Sequence, residues 1–236
     1  MINKKPYVIA EIDKDTPDVT LFKFKAQDGS KLDFKPGMFV MLHHKDAQTG
    51  ADIGRAFSLA SLPNDDTIEF AISMIHGRFT SYLDTAKVGD IYYVTGPYGQ
   101  FQFNAGIDSK VMFIAGGTGI APFLSMLRQI KHENLSTDVK LIYSVRFHKD
   151  IIRKEELEQY RNELTFDYCV TATREGTDEW SGEHGHVNED MVKKHAPDIT
   201  ERTCYVCGPL EFTKAVQNVL VSLGVDKQKI KADVWG

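Results

Sequence analysis

Lys110-Val111-Met112-Phe113-Ile114-Ala115-Gly116-Gly117-Thr118-Gly119-Ile120-Ala121-Pro122 reads as a fully apolar strand that runs into a glycine-rich turn. From Pro122 to Ile130 the apolar residues recur with helical period. Pro122 suits a first helical position, where its missing N–H removes no hydrogen bond. The same grammar then repeats. It predicts a strand over Lys140–Val145, a helix over Lys154–Leu164 and a strand over Phe166–Thr173. A short helix over Glu189–His195 follows, capped by Asn188, and then a strand over Thr203–Cys207, a helix opening with Pro209 and a last strand near Ile230. Alternating β and α elements predict a doubly wound parallel sheet with helices on both faces. Ligands of such sheets bind at the carboxyl ends of the strands. The Gly116–Gly119 turn lies at one such end, and Cys207-Gly208-Pro209 at another, lining the same crevice. A glycine turn before a helix lets backbone N–H groups approach a phosphate. Any tight strand-to-helix turn can also use glycines, and the G-x-G-x-x-P pattern from Gly117 alone does not separate the two readings.

Upstream the pattern runs in twos. Val19-Thr20-Leu21-Phe22-Lys23-Phe24-Lys25 alternates imperfectly, Ile68-Glu69-Phe70-Ala71-Ile72-Ser73 cleanly, and Phe39–Leu42 is a short apolar run. Turn signals at Asp28-Gly29, Lys35-Pro36-Gly37, Pro63-Asn64-Asp65, Gly89-Asp90 and Gly96-Pro97 separate these stretches. Many short strands predict an antiparallel barrel or sandwich, with one helical piece from about Thr80 to Ala86. The boundary between the two grammars falls near residues 103–109. The chain's 236 residues leave room for two domains of about 100–150 residues each. With 42% hydrophobic and 26% charged residues, the composition excludes a disordered chain or a fibrous rod. A net charge of −5 argues against nucleic acid as the main partner. Cys169, Cys204 and Cys207 are too few for a disulfide framework or a four-thiolate iron–sulfur cluster. Cys204 and Cys207 are spaced Cys-x-x-Cys, yet on a buried strand they would face opposite sides. The opening Met1-Ile2-Asn3-Lys4-Lys5-Pro6 precedes no apolar leader, and no apolar stretch reaches the roughly 18 residues of a membrane span. These features predict a soluble chain of a reducing compartment, the cytoplasm, with no membrane. His43-His44 and His184-Gly185-His186 lack thiolates or carboxylates at ligand spacing, so no metal site is expected.

Further motifs fall into one order: Arg55-Ala56-Phe57-Ser58, Gly77-Arg78-Phe79-Thr80, Gly96-Pro97-Tyr98-Gly99-Gln100-Phe101, Gly116–Pro122, Thr173-Arg174-Glu175, Cys207-Gly208-Pro209 and Asp233-Val234-Trp235. In this order and spacing the chain resembles the ferredoxin–NADP reductase superfamily of flavoproteins over essentially its whole length. The resemblance implies an antiparallel β-barrel flavin domain over 1–105, then an α/β NAD(P)-binding domain over 106–236. It implies that Arg55 pairs with the FAD phosphate, that Phe57 lies against the isoalloxazine and that Ser58 hydrogen-bonds near the redox-active nitrogen. Phe57 stands where the family more often has Tyr. Gly77, Arg78, Phe79 and Thr80 match the family's pyrophosphate helix start, where Thr80 can also serve as a simple cap. Ile72, Ser73, Thr118 and Trp235 complete the expected FAD set.

For the nicotinamide nucleotide the resemblance implies Gly116, Gly117, Thr118, Gly119, Pro122, Cys207, Gly208 and Pro209. Thr173 and Arg174, joined by Arg146, match the place that receives a 2′-phosphate, so NADPH is expected, with NADH as the alternative. Ser58, Cys207 and Asp233 are the expected catalytic residues, Asp233 standing where Glu is commoner. The implied activity is hydride transfer from NADPH to FAD. Electrons then pass singly to a separate ferredoxin, flavodoxin or oxygenase component, with no ferredoxin-type domain in this sequence and a monomeric chain. The alternatives are an NAD(P)H:flavin or ferric reductase using loosely bound flavin as substrate, and a non-enzymatic subunit that senses NAD(P)H.

Overall fold

A computed structural model describes residues 4–46, 49–75, 77–176 and 180–235. Met1–Asn3, part of the opening read for a leader, lie outside the described residues. Among the described residues no helix is long and apolar enough to cross a membrane.

Six strands make the first sheet: β1 (Lys5–Lys14), β2 (Val19–Ala26), β3 (Phe39–Lys45), β4 (Asp52–Ser58), β5 (Ile68–Ser73) and β6 (Ile91–Tyr98), with α1 (Thr80–Leu83) before β6. Their order is β4-β3-β6-β1-β2-β5, and every pair is antiparallel. The edge strands β4 and β5 meet through Phe57 and Phe70, ring centroids 5.9 Å apart, which closes the sheet into a barrel. Its core is aromatic: Phe24 sits 5.6 Å from both Phe70 and Tyr92. The helical piece is shorter than expected, ending at Leu83 rather than Ala86.

The second sheet holds β7 (Lys110–Gly116), β8 (Asp138–Val145), β9 (Phe166–Ala172), β10 (Glu183–His184), β11 (Thr203–Pro209) and β12 (Ile230–Trp235) in the order β10-β9-β8-β7-β11-β12, all parallel. Helices α2 (Ala121–His132), α3 (Lys154–Glu163), α4 (Glu189–His195) and α5 (Leu210–Ser222) cover it. The Asn188 side chain accepts the Met191 N–H at 2.9 Å and caps α4. The two-residue β10 lies inside a stretch expected to be loop. The glycine turn is a 3₁₀ helix over Gly117–Ile120 that runs into α2, so Pro122 takes the second position of α2 rather than the first. Its missing N–H is still one that the helix leaves unpaired. Cys204 and Cys207 belong to cores on opposite faces of the sheet.

One core crosses from sheet to sheet. Val19, Leu21 and Ala71 of the barrel pack with Phe123, Leu124 and Leu127 of α2. This explains the imperfect alternation of β2: Phe22 and Phe24 face the barrel interior, and Leu21 faces the second domain. Glu69, read as the polar face of β5, is likewise buried in this seam. Its Oε1 takes Arg128 Nη2 at 3.1 Å and its Oε2 takes Arg153 Nη2 at 3.4 Å. Arg128 also donates to Ala60 O at 2.8 Å and, through two nitrogens, to both oxygens of Glu156. Ser125 Oγ donates to Ser61 O at 2.6 Å.

Candidate functional site

In the parallel sheet the strand order reverses at β7, with β8 on one side and β11 on the other, which is where open α/β sheets leave a crevice. Gly116 ends β7 and Gly208 lies just before the end of β11, both under the ring of Phe212. A Cβ at Gly116 would lie 2.9 Å from Phe212 Cδ1, and one at Gly208 2.5 Å, so a side chain at either place would have to displace that ring. Gly117 has φ +55° and nothing within 4 Å of where its Cβ would be, leaving bare backbone exposed to a ligand. The Tyr143 hydroxyl donates to Gly117 O at 3.1 Å and holds this turn from below. Thr118 is half-buried beside it, and Pro122 is buried.

Gly119 packs on the Cys207 carbonyl, and a Cβ there would stand 2.6 Å from Trp235 Cη2. Register pairs Cys207 with Asp233 and Pro209 with Trp235, so β12 delivers its last residues beside the glycine turn. The Cys207 thiol lies 3.9 Å from Asp233 Oδ2. Burial, then the Asp233 charge, pushes that thiol well above its ordinary pKa, and burial also raises the Asp233 carboxyl. A buried neutral thiol is a packing group and a weak donor rather than a nucleophile.

Across from β12 stands the barrel. Asp233, Lys231, Gly37, Phe39, Gly99 and Phe101 are among the residues around a cleft of about 430 Å³ between the two domains. Lys231 Nζ donates to the Tyr205 hydroxyl at 2.6 Å, and that hydroxyl donates to Asp108 at 2.6 Å. On β4, Ser58 pairs with Phe39, Phe57 with Val40 and Arg55 with Leu42. Phe57 is half-buried and packs between Phe70 and Phe79. Arg55 is exposed at the barrel rim, its Nη1 3.9 Å from where a Cβ on Gly77 would stand. Arg78, also exposed, follows Gly77. The Gly77 N–H donates to Thr80 Oγ1 at 2.8 Å, and Ser81 Oγ donates to Gly77 O at 2.6 Å. Thr80 is therefore a buried first-turn residue whose hydroxyl closes its own turn, and Phe79 takes the cap position. The side chains of Ile72 and Phe79 belong to the barrel core, which leaves only their backbone to a ligand, while Ser73 is half-buried at the end of β5.

At the far end of the sheet, Arg174 N–H donates to Arg146 O and Thr173 N–H to Val145 O, both at 2.9 Å, placing the two arginines on adjoining strand ends. The sequence holds eight arginines. Arg128, Arg153, Arg161 and Arg202 each have a carboxylate partner. Arg55, Arg78, Arg146 and Arg174 have no side-chain hydrogen bond or ion pair among the described residues. Two unanswered pairs of guanidinium groups, one beside the Gly77 turn and one at the β8–β9 ends, fit the pyrophosphate of a flavin dinucleotide and a phosphorylated ribose.

Sequence reasoning missed Tyr143, Phe212 and the Lys231–Tyr205–Asp108 chain. Tyr143 and the Lys231–Tyr205–Asp108 chain act across long sequence separations, Phe212 bridges nearby Gly208 to distant Gly116, and none carries a local pattern.

The oxidoreductase FAD-binding domain model matches residues 6–103, and the oxidoreductase NAD-binding domain model matches residues 113–218. The chain is 33% identical over 229 residues to the glycine betaine monooxygenase reductase subunit of Pseudomonas aeruginosa, covering 94% of this chain and 62% of that protein. It is 30% identical to the propane 2-monooxygenase reductase component of Mycolicibacterium goodii, over 95% of this chain and 66% of that one. The chain thus spans about three fifths to two thirds of the length of these relatives. A ferredoxin NADP⁺ reductase from Neisseria gonorrhoeae with bound FAD and NADP has the same fold, with a TM-score of 0.84, 23% identity and 98% of both chains covered. The chain thus joins an oxidoreductase FAD-binding domain to an oxidoreductase NAD-binding domain, in the fold of the Neisseria ferredoxin NADP⁺ reductase.

Proposed function

We propose that the chain is a flavin-dependent NADPH oxidoreductase that passes electrons onward to a separate acceptor, a ferredoxin, a flavodoxin or an oxygenase component. The observation that carries this reading is the pair of arginine stations, Arg55 with Arg78 and Arg146 with Arg174, that have no side-chain partner among the described residues. An oxygenase component is supported by the names of the Pseudomonas and Mycolicibacterium relatives, both reductase parts of monooxygenases. We place the domain division at residues 105 and 106 and read the chain as a cytoplasmic monomer.

FAD, when bound, would supply the chemistry that side chains lack, accepting a hydride and releasing electrons one at a time. Arg55, Arg78 and the Gly77 turn would bind its pyrophosphate, with Phe57 and Ser58 on β4 and the half-buried Ser73 orienting the ring system. Gly117 leaves open backbone for the nicotinamide nucleotide, Gly116, Gly119 and Gly208 let Phe212, the Cys207 carbonyl and Trp235 pack close behind it, Pro209 lies at the neighbouring strand end, and Thr118 and Cys207 position its reactive end. Trp235 excludes water from the same space. Asp233, its carboxyl pKa raised by burial, lies 3.9 Å from the Cys207 thiol and is placed to orient the nicotinamide end. Proximity and exclusion of water are the protein's contribution.

The test is an absorbance spectrum of the purified, desalted protein, repeated anaerobically after adding NADPH. A flavin band that bleaches is the expected result. A colourless protein that takes up no added FAD would overturn the reading, whereas one that reduces free flavin in turnover would mark a flavin reductase. Arg174→Ala should raise the KM for NADPH about tenfold or more, the worth of a charge-assisted phosphate contact, and leave that for NADH unchanged.

A further inference from the structure

We propose that His148 sets the preference for a 2′-phosphorylated cofactor by masking Glu175. Glu175 directly follows Arg174 at the end of β9. A free carboxylate at such a strand end accepts hydrogen bonds from ribose hydroxyls and repels a ribose phosphate, which selects the unphosphorylated nucleotide. Here both oxygens are already taken. The His148 backbone N–H donates to Oε2 at 2.5 Å, and His148 Nδ1 lies 2.5 Å from Oε1. The Glu175 side chain is only 5% exposed, so its remaining lone pairs do not face solvent, whereas the imidazole is 46% exposed. Burial pushes the Glu175 pKa up, but the two His148 bonds outweigh it and hold the carboxyl below its usual range. The His148 ring lies parallel to Trp180, 5° between planes and centroids 5.9 Å apart, which fixes it over the carboxylate. Arg146 and Arg174 flank this arrangement with no carboxylate of their own among the described residues. The acid that would exclude a phosphate is thereby turned into a tie between the two arginine-bearing loops.

The inference rests on the NADPH reading, and fragments that reach only the adenosine end test it without turnover. Isothermal titration of the purified chain with 2′,5′-ADP and with 5′-AMP gives the ratio of their affinities. The wild type should bind 2′,5′-ADP about tenfold or more tighter, the worth of one charge-assisted phosphate contact. His148→Ala should shrink that ratio to about threefold or less, since an unmasked carboxylate opposes the phosphate. His148→Phe keeps a ring against Trp180, removes only the side-chain donor and should behave like the alanine variant. His148→Asn keeps a donor at the Nδ1 position and should retain the wild-type ratio, and His148→Ala with Glu175→Gln should restore it. A wild-type preference for 2′,5′-ADP that survives in both His148→Ala and His148→Phe would overturn the masking role and leave the NADPH reading intact. A wild type that binds the two fragments equally would overturn both.

Discussion

Arg128 and Arg153 in the seam, and Arg55 at the barrel rim and Arg174 beyond the end of β9, are the same residue type in opposite circumstances. The seam arginines meet Glu69, Glu156 and Asp13 at 2.8–3.4 Å. Arg55 and Arg174 meet no carboxylate among the described residues. A guanidinium answered by the protein's own acid is structural. One left unanswered in an otherwise well-paired molecule is held for an anion from outside. Stability and ligand affinity should therefore respond to different arginines.

The sharpest way to break this contrast is Glu69→Ala. Its carboxyl is 4% exposed between two guanidinium groups, and losing one partner of a buried ion pair costs about 3–5 kcal/mol. Urea denaturation would measure the loss. A change below about 1 kcal/mol would mean that Glu156 and Asp13 satisfy the seam unaided, as exposed pairs contribute no more than that. Arg55→Ala should do the reverse. It should weaken FAD binding by about 10–100-fold, the worth of a hydrogen bond to a charged group, and leave unfolding of the FAD-free protein within about 0.5 kcal/mol. A titration of the FAD-free protein monitored by fluorescence checks the first number. Asn188→Ala, in neither region, calibrates the scale: loss of the α4 cap should cost about 1 kcal/mol in the same urea experiment.

The smallest expected effect is in pH dependence, where the two regions oppose one another. Glu156 is pushed up by burial but held below its usual range overall by Arg128, so its contribution is present above the ordinary glutamate pKa and lost on acidification. Asp233 is raised by burial, so its contribution is present at low pH and lost as pH rises through its folded-state value. Asp233→Asn should flatten the fall in stability just above the ordinary aspartate range. An unchanged slope there would remove Asp233 as a titrating group of the cleft.

Much of the architecture was legible locally. The α/β half was readable because each element carries its own signal: the apolar run of Val111–Ala115, Pro209 before α5, and Asn188 three residues before the N–H that it caps. The barrel half was less so. Glu69 alternates like a solvent-facing residue, and only cations 59 and 84 positions later reveal that it is buried. The phosphate stations were visible as motifs, yet their lack of partners is a property of the assembled surface. Thr80 was readable as a cap or first-turn residue, and its bonding to Gly77 emerged only with the turn's geometry. Glu175 and His148, 27 residues apart, gave no local sign of their pairing.

The core shared between the sheets makes the two halves inseparable as folding units. Expressed alone, residues 1–105 would present Val19, Leu21, Ala60, Ala71, Phe101 and Phe103 to water as one apolar face, around a carboxylate stripped of both its cations. Such a fragment is an aggregation hazard rather than a free flavin module. Any swap of nucleotide domains among relatives of this chain must carry the matching face of β2 and β5 with it.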